Sequence, residues 1–397
     1  MITKAGPIVV QVLLLVYVAH DGTLADVGRL SIASATAYFC ANFAEAGFAT
    51  TLSVPRVYYG VDAPPLRATR MLRVGAGLAG TLIYLAIWAA GLGARDPLLL
   101  IVAPLPFAVS LSAGYAGVIN ASRRLELEGA VALGESLLTI IAAALVGLAT
   151  NALEAALIAV AGGRVAGVAA RALLVRRLPQ SLAAHVPGVA RTQAWFGLGT
   201  GATVIQGQVD VLLIGLVGTL TFAGVYGPLI RVPYGMLLLG EAVSWALFST
   251  HQDPRGGPRP LRERVRGPAG LVPLGVVCGV AFAIGVQPFL TVLLGRSIDL
   301  SNWAILMFAL LIVVRFTSFG LLVGIIRAGR QRDGVAVVFA AGVVLALGAL
   351  PAAASSSLVG LAAARLASEL VIVLGYLAVR RRGARAEQVL GGTGDLR

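Results

Sequence analysis

Charged side chains are scarce in this chain. Asp, Glu, Lys and Arg make up 12% of its 397 residues, while 58% are apolar, and that balance lies far outside soluble globular composition. Acidic residues are scarcer still, 18 against 31 basic ones. Only two cysteines occur, Cys40 and Cys278, both inside apolar runs, which excludes a disulfide framework and any zinc-ligand spacing. Three histidines, His20, His185 and His251, stand singly between apolar runs. No glycine-rich loop ends in Lys-Ser or Lys-Thr, so ATP hydrolysis has no phosphate cradle. The polar stretches are at most about 20 residues long, too short to hold a soluble catalytic domain. The reading is therefore of a non-enzyme, with no cofactor and no metal site.

What the chain has in abundance is apolar length. Its mean hydropathy is +0.89, and runs able to cross ~30 Å of hydrocarbon recur throughout. Twelve spans are expected, at about 5–20, 28–53, 71–92, 97–120, 130–150, 152–176, 193–217, 220–248, 268–293, 300–326, 334–355 and 357–379. The fold class is all-α, polytopic and membrane-embedded. The first span resembles a signal-peptide core behind Lys4, but its repeat partner argues that it is retained.

Basic residues alternate sharply between connections. One set of loops carries 24 of the 31, from Lys4 through Arg73, Arg171 and Arg255 to Arg397, and the other only Arg29, Arg95 and Arg296. Orientation by loop arginine and lysine then places both termini in the cytoplasm and the chain in the cytoplasmic (inner) membrane. The net charge of +13 reads as this bias, with anionic membrane lipids as partners and no nucleic acid, because the arginines lack interleaved aromatics.

The chain also repeats itself. Shifting residues 22–46 by 196 positions onto 218–242 matches Gly22/Gly218, Thr23/Thr219, Leu24/Leu220, Gly28/Gly224, Tyr38/Tyr234, Glu45/Glu241 and Ala46/Ala242. Small and apolar matches arise easily here, whereas a Tyr and a Glu at one spacing inside two spans do not. Six spans per half make the halves parallel repeats. The expected organisation is a bundle over 1–176, a linker over 177–192, a second bundle over 193–379 and a basic tail over 380–397, with a central cavity between the bundles. The turns Gly22–Gly28 and Gly218–Gly224 would lie on the outer face.

Nine ionisable residues fall well inside spans: Glu45, Glu135, Arg164, Asp210, Arg231, Glu241, Arg315, Arg365 and Glu369. Each costs about 3 kcal/mol if it faces lipid, so together they exceed the roughly 5–15 kcal/mol that holds a fold together. They must pair or line water. Arg365 and Glu369, one turn apart, read as a pair; Glu135, nearer a span end, is as readily structural as not, and Arg164, amid glycines, reads as a helix-packing residue. Ser31, Ser34, Tyr38, Asn42 and Glu45 recur along one face of the second span, as do Thr203, Gln206 and Asp210 on the seventh. Each stripe is either a hydrogen-bonded helix contact or a cavity wall. Arg231 and Arg315 have no acidic partner one turn away, which suits a bound anion met by the planar guanidinium.

These residues resemble a known family. The stretch Gly28-Arg-Leu-Ser with Ala44-Glu-Ala-Gly-Phe-Ala-Thr-Thr-Leu-Ser-Val-Pro-Arg56, and Val209-Asp-Val-Leu-Leu-Ile-Gly215 followed by Ala223-Gly-Val-Tyr226 and Leu229-Ile-Arg-Val232, is similar to oligosaccharide-lipid flippases of the O-antigen and capsule type. These belong to the multidrug/oligosaccharidyl-lipid/polysaccharide (MOP) superfamily. Twelve spans fit its polysaccharide branch, whereas lipid II flippases usually carry fourteen. The resemblance implies translocation of a polyprenyl-pyrophosphate-linked oligosaccharide by alternating access. Arg231 and Arg315 would hold the pyrophosphate, and Tyr38, Asn42, Tyr234 and Gln206 would bond sugar hydroxyls. Glu45, Asp210 and Glu241 would bind a coupling proton or monovalent cation. A cation-coupled multidrug exporter of the same superfamily, or a non-transporting subunit of a glycan assembly complex, stays open.

Overall fold

The structure is a computed structural model that describes residues 2–45, 62, 63, 65–122, 124–178, 189–249, 271–327 and 330–391. In chain order the helices are α1 (Ile2–Asp21), α2 (Leu24–Glu45), α3 (Leu66–Ala89), α4 (Leu105–Ala121), α5 (Leu125–Val146), α6 (Ala152–Val175), α7 (Val189–Val217), α8 (Leu220–Ser249), α9 (Leu271–Leu294), α10 (Asn302–Arg327), α11 (Gln331–Ala354) and α12 (Leu358–Gly391). Each corresponds in order to one expected span. Among the described residues, eight helices are long and apolar enough to cross a membrane, and α1 and α7 add shorter apolar stretches, Val9–Asp21 and Gln206–Val217. The protein is a multi-pass all-α membrane protein.

Three boundaries differ from the sequence expectation, each for a physical reason. The span expected over 97–120 is two pieces, a 3₁₀ helix Pro97–Val102 and then α4. Pro104 and Pro106 lack the N–H that would continue an α-helix across that point, while the Asp96 side chain caps the first piece by accepting from the Leu98 N–H at 3.0 Å. The expected turns Gly22–Gly28 and Gly218–Gly224 shrink to the pairs Gly22-Thr23 and Gly218-Thr219, because the next residue already begins a helix. Thr219 Oγ1 accepts from the Phe222 N–H at 3.2 Å, and Thr23 Oγ1 accepts from the Asp26 N–H at 3.3 Å. That is the same N-cap in both copies of the repeat. Lastly, α12 runs on to Gly391, beyond the expected end at 379.

The described chain forms two compact units: Met1–Pro228 with Val292–Arg296, and Leu229–Thr291 with Ser297–Arg397. In the first, α2 is the central helix, packed against α3, α4 and α7, while α5 packs on α6 and α1. Its buried face is built of small residues, Ala33, Ser34, Ala35, Ala37 and Ala41, which let neighbouring backbones approach where lipid supplies no hydrophobic drive. In the second unit α12 packs against both α10 and α11, around Leu321, Ile325, Ala341, Ile372, Tyr376 and Val379.

Inside the first unit the two repeat copies meet. A Cβ placed on Gly28 would run into the Leu220 carbonyl oxygen, and one placed on Gly224 into the Leu24 carbonyl oxygen. Leu24/Leu220 and Gly28/Gly224 are equivalent under the 196-residue shift, so the contact is reciprocal, as across a two-fold axis. Ser31 abuts Gly227, its own repeat equivalent. The first turns of α2 and α8 thus cross at backbone contact, and only glycine fits.

Candidate functional site

α5 carries its polar residues inward. Leu133, Leu137, Ile141 and Leu145 form an exposed apolar stripe at four-residue spacing, whereas Glu128, Ala132, Ser136, Thr139 and Ala143 are buried. This reversed amphipathicity is what a helix in hydrocarbon requires. Its carboxylates face two arginines of α6. Arg171 is bidentate to Glu128, with Nε at 3.0 and 3.1 Å from the two carboxylate oxygens and Nη2 at 2.7 Å from Oε1. Its Nη1 reaches Glu135 Oε2 at 2.7 Å. Glu135 Oε1 then takes Arg164 Nη1 at 2.9 Å, and Arg164 Nη2 donates to the Tyr38 hydroxyl at 3.4 Å.

The result is a ladder, Glu128, Arg171, Glu135, Arg164, Tyr38, that ties α5, α6 and α2 together. Two carboxylates balance two guanidiniums, so the buried charge sums to zero. Gly167 makes it possible, since a Cβ there would strike the Glu135 carboxylate and Arg171 Nη1. Arg171, expected in a loop, is therefore inside α6 and 3% exposed; Arg73, likewise assigned to a loop, is 2% exposed within α3 and lies over the Tyr115 ring at 5.1 Å. Arg171 is held there by the two carboxylates that it bonds, whereas the contact described for the Arg73 guanidinium is the face of the Tyr115 ring. Glu128/Glu135 and Arg164/Arg171 are each seven apart, two turns on one face, a signal that sequence reasoning missed.

The second unit holds a related cluster. Arg315 Nη1 bonds Glu369 Oε1 at 2.7 Å, and its guanidinium lies 5.3 Å from the Phe319 ring centre. Arg365 Nη1 donates to the Tyr234 hydroxyl and sits 5.5 Å from that ring's centre. Arg365 and Glu369 are 2% and 3% exposed. Arg315, which has no acidic residue one turn away in sequence and was expected to meet a bound anion, is paired across helices with the Glu369 that the sequence had assigned to Arg365. Arg231, half-buried on α8, stands three residues before Tyr234.

The remaining expected residues divide. Asp210 is fully buried on α7 and accepts from the Tyr226 hydroxyl and the Val211 N–H. Gln206 is 2% exposed, and Thr203 is exposed. Asn42 donates to the Tyr38 carbonyl at 2.7 Å. Ser31 and Ser34, the start of the α2 stripe, are buried, and Ser31 serves the crossing with α8, so that part of the stripe is a helix contact. The side chains of Glu45 and Glu241 lie outside the described residues. Among those described, no group of His, Cys, Asp and Glu could hold a metal ion.

No protein-family model matches the sequence, and no curated protein matches it. Solved structures do. The lipid II flippase MurJ in an inward closed conformation is similar at TM-score 0.72 and 12% identity, covering 96% of this chain and 87% of that one. A multidrug resistance MATE family transporter of the MOP superfamily, inward-facing, is similar at 0.70 and 10%, covering 95% of each chain. The chain has the fold of MOP-superfamily transporters. A eukaryotic MATE transporter gives 0.63 and 14%, over 97% of this chain and 95% of that one. These likenesses fix the MOP fold and, with the apolar helices, a multi-pass chain in a membrane.

Proposed function

We propose that this protein is a flippase, moving a polyprenyl-pyrophosphate-linked oligosaccharide from the inner to the outer leaflet of the cytoplasmic membrane by alternating access, for cell-surface polysaccharide synthesis. The observation that carries this reading is the gathering of arginines in the second unit. Arg315 bonds Glu369, Arg365 bonds the Tyr234 hydroxyl, and Arg231 stands three residues before Tyr234 on α8, so three arginines lie on the helices that these bonds join. A planar guanidinium meets phosphate oxygens bidentately, whereas an exporter of cationic drugs needs the opposite sign. Arg231 and Arg315 hold the pyrophosphate. Tyr38, Asn42, Tyr234 and Gln206 contact the glycan, and Glu45, Asp210 and Glu241 are the candidates for a coupling proton or cation. Both termini are cytoplasmic.

The test is to delete the gene and follow the lipid-linked glycan in sealed cells. The glycan is expected to stay intact and inaccessible from outside. Normal arrival at the outer face, together with new sensitivity to cationic drugs, would replace the flippase by the multidrug exporter.

A further inference from the structure

Within the second unit α11 and α12 form an antiparallel hairpin. Ser368 of α12 donates to the Ala341 carbonyl of α11 at 2.8 Å, and at the hairpin's open end Arg330 Nη1 donates to the Val379 carbonyl at 3.0 Å. The stretches apolar enough to cross a membrane are Arg332–Ala354 and Leu358–Arg382. The first begins and the second ends on an arginine, both at that open end. α12 does not stop there, since it stays helical through Arg380, Arg381 and Arg382, all three of them exposed.

The face that these arginines occupy follows from the exposed rows of the two helices. On α11 Phe339, Val343, Leu347 and Leu350 are exposed, and Arg332, exposed seven residues before Phe339, continues that row. On α12 Leu370 and Leu374 are exposed, and Ala378, Arg381 and Arg382 follow them at helical spacing, exposed as well. The opposite faces, with Ala341, Ile372, Tyr376 and Val379, are packed inside the unit. Large apolar side chains turned outward over a membrane span meet acyl chains, so a guanidinium at the end of the same row stands at headgroup depth. The side chains described at this end include five arginines, Arg330, Arg332, Arg380, Arg381 and Arg382, and one carboxylate, Asp333. The Arg330 bond holds the start of α11 beside this part of α12, which gathers the charges of both helices.

The α5–α6 hairpin of the first unit supplies a contrast. Its open end carries Arg124, Arg176 and Arg177, all exposed, but Arg124 pairs with Glu126 at 3.8 Å, so the surplus of positive charge is smaller. An arginine at a span end is an ordinary orientation signal. What sets α11 and α12 apart is that arginines from two bonded helices continue lipid-facing rows. We infer that the open end of this hairpin is a binding site for an anionic phospholipid, whose phosphate is held by Arg332, Arg381 and Arg382 while its acyl chains lie along the apolar rows of the two helices. Basic sites between spanning helices recognise such headgroups on the cytoplasmic side, and on the orientation proposed above this end lies in the inner leaflet. The site is separate from Arg231 and Arg315 and does not depend on the flippase reading.

The test is equilibrium binding of phosphatidylglycerol and of phosphatidylcholine, each labelled on an acyl chain, to the purified full-length chain in neutral detergent, with inorganic phosphate as competitor. Arg332→Gln/Arg381→Gln/Arg382→Gln should weaken phosphatidylglycerol by about a hundredfold, at about fivefold for each arginine near an anionic headgroup, and leave phosphatidylcholine unmoved. Arg332→Lys/Arg381→Lys/Arg382→Lys should keep most of the affinity because the charge remains, which separates headgroup attraction from damage to the hairpin. Removing as many arginines from the first unit, in Arg124→Gln/Arg176→Gln/Arg177→Gln, should change binding by less than about threefold. Equal losses in the two glutamine triples would mean unspecific surface attraction and overturn the inference. Displacement of the lipid by inorganic phosphate would overturn it too, since the site would then be one for free phosphate. If phosphatidylglycerol affinity falls in Arg231→Gln/Arg315→Gln but not in the Arg332, Arg381 and Arg382 triple, the inference fails while the flippase reading stands.

Discussion

The tyrosine of α2 and the tyrosine of α8 stand at equivalent repeat positions, yet the contacts behind them are built differently. In the first unit two carboxylates meet two guanidiniums in a ladder whose charge is closed. In the second, Arg315 bonds Glu369 and Arg365 bonds the Tyr234 hydroxyl. Burying an ion pair is costly, and what justifies a closed ladder is geometry, since it locks three helices in register. The second network joins its helices by single contacts, one between Arg315 and Glu369 and one between Arg365 and a tyrosine hydroxyl. The difference assigns the tighter lock to the first network.

The largest expected effect breaks the closed ladder. Arg171→Gln strands Glu128, 6% exposed, and removes one partner of Glu135, so the variant should lose roughly 3–5 kcal/mol of stability. Arg315→Gln should lose less, because Arg365 lies one turn from the Glu369 left behind. Thermal unfolding in detergent measures both, and equal losses would erase the distinction between the two networks. A second comparison predicts equality. Gly28→Ala and Gly224→Ala each force a methyl into the carbonyl of the other copy, so both should destabilise by a similar amount, about 1–3 kcal/mol. A large difference between them would mean that the crossing of α2 and α8 lacks the two-fold character its reciprocal contacts imply.

Much of the architecture was legible in the sequence. Apolar length placed the twelve described helices, and the shift of 196 residues matched Thr23 with Thr219 and Leu24 with Leu220, which prove to be the caps and first residues of α2 and α8, although the turns were expected to run on to Gly28 and Gly224. The site was harder to read. Arg171 was counted with the loop arginines because charge near a span end is ordinarily solvated, and only its seven-residue spacing from Arg164, matched by Glu128 and Glu135, hinted otherwise. Glu369 was joined to Arg365 because local pairs are visible in a sequence. Its bond to Arg315, 54 residues away, depends on how α10 packs against α12, which periodicity does not encode.

The most direct test of the central claim is transport by the purified protein in liposomes. A short-chain polyprenyl-pyrophosphate carrying a fluorescent oligosaccharide would be placed in both leaflets, and the fraction bleached by an impermeant reductant followed in time. The account predicts that wild-type protein renders nearly all of the probe accessible, that the double variant Arg231→Gln/Arg315→Gln falls to the rate of protein-free liposomes, and that a cationic dye is not moved. Transport of the dye, with the glycolipid crossing no faster than in empty liposomes, would contradict it.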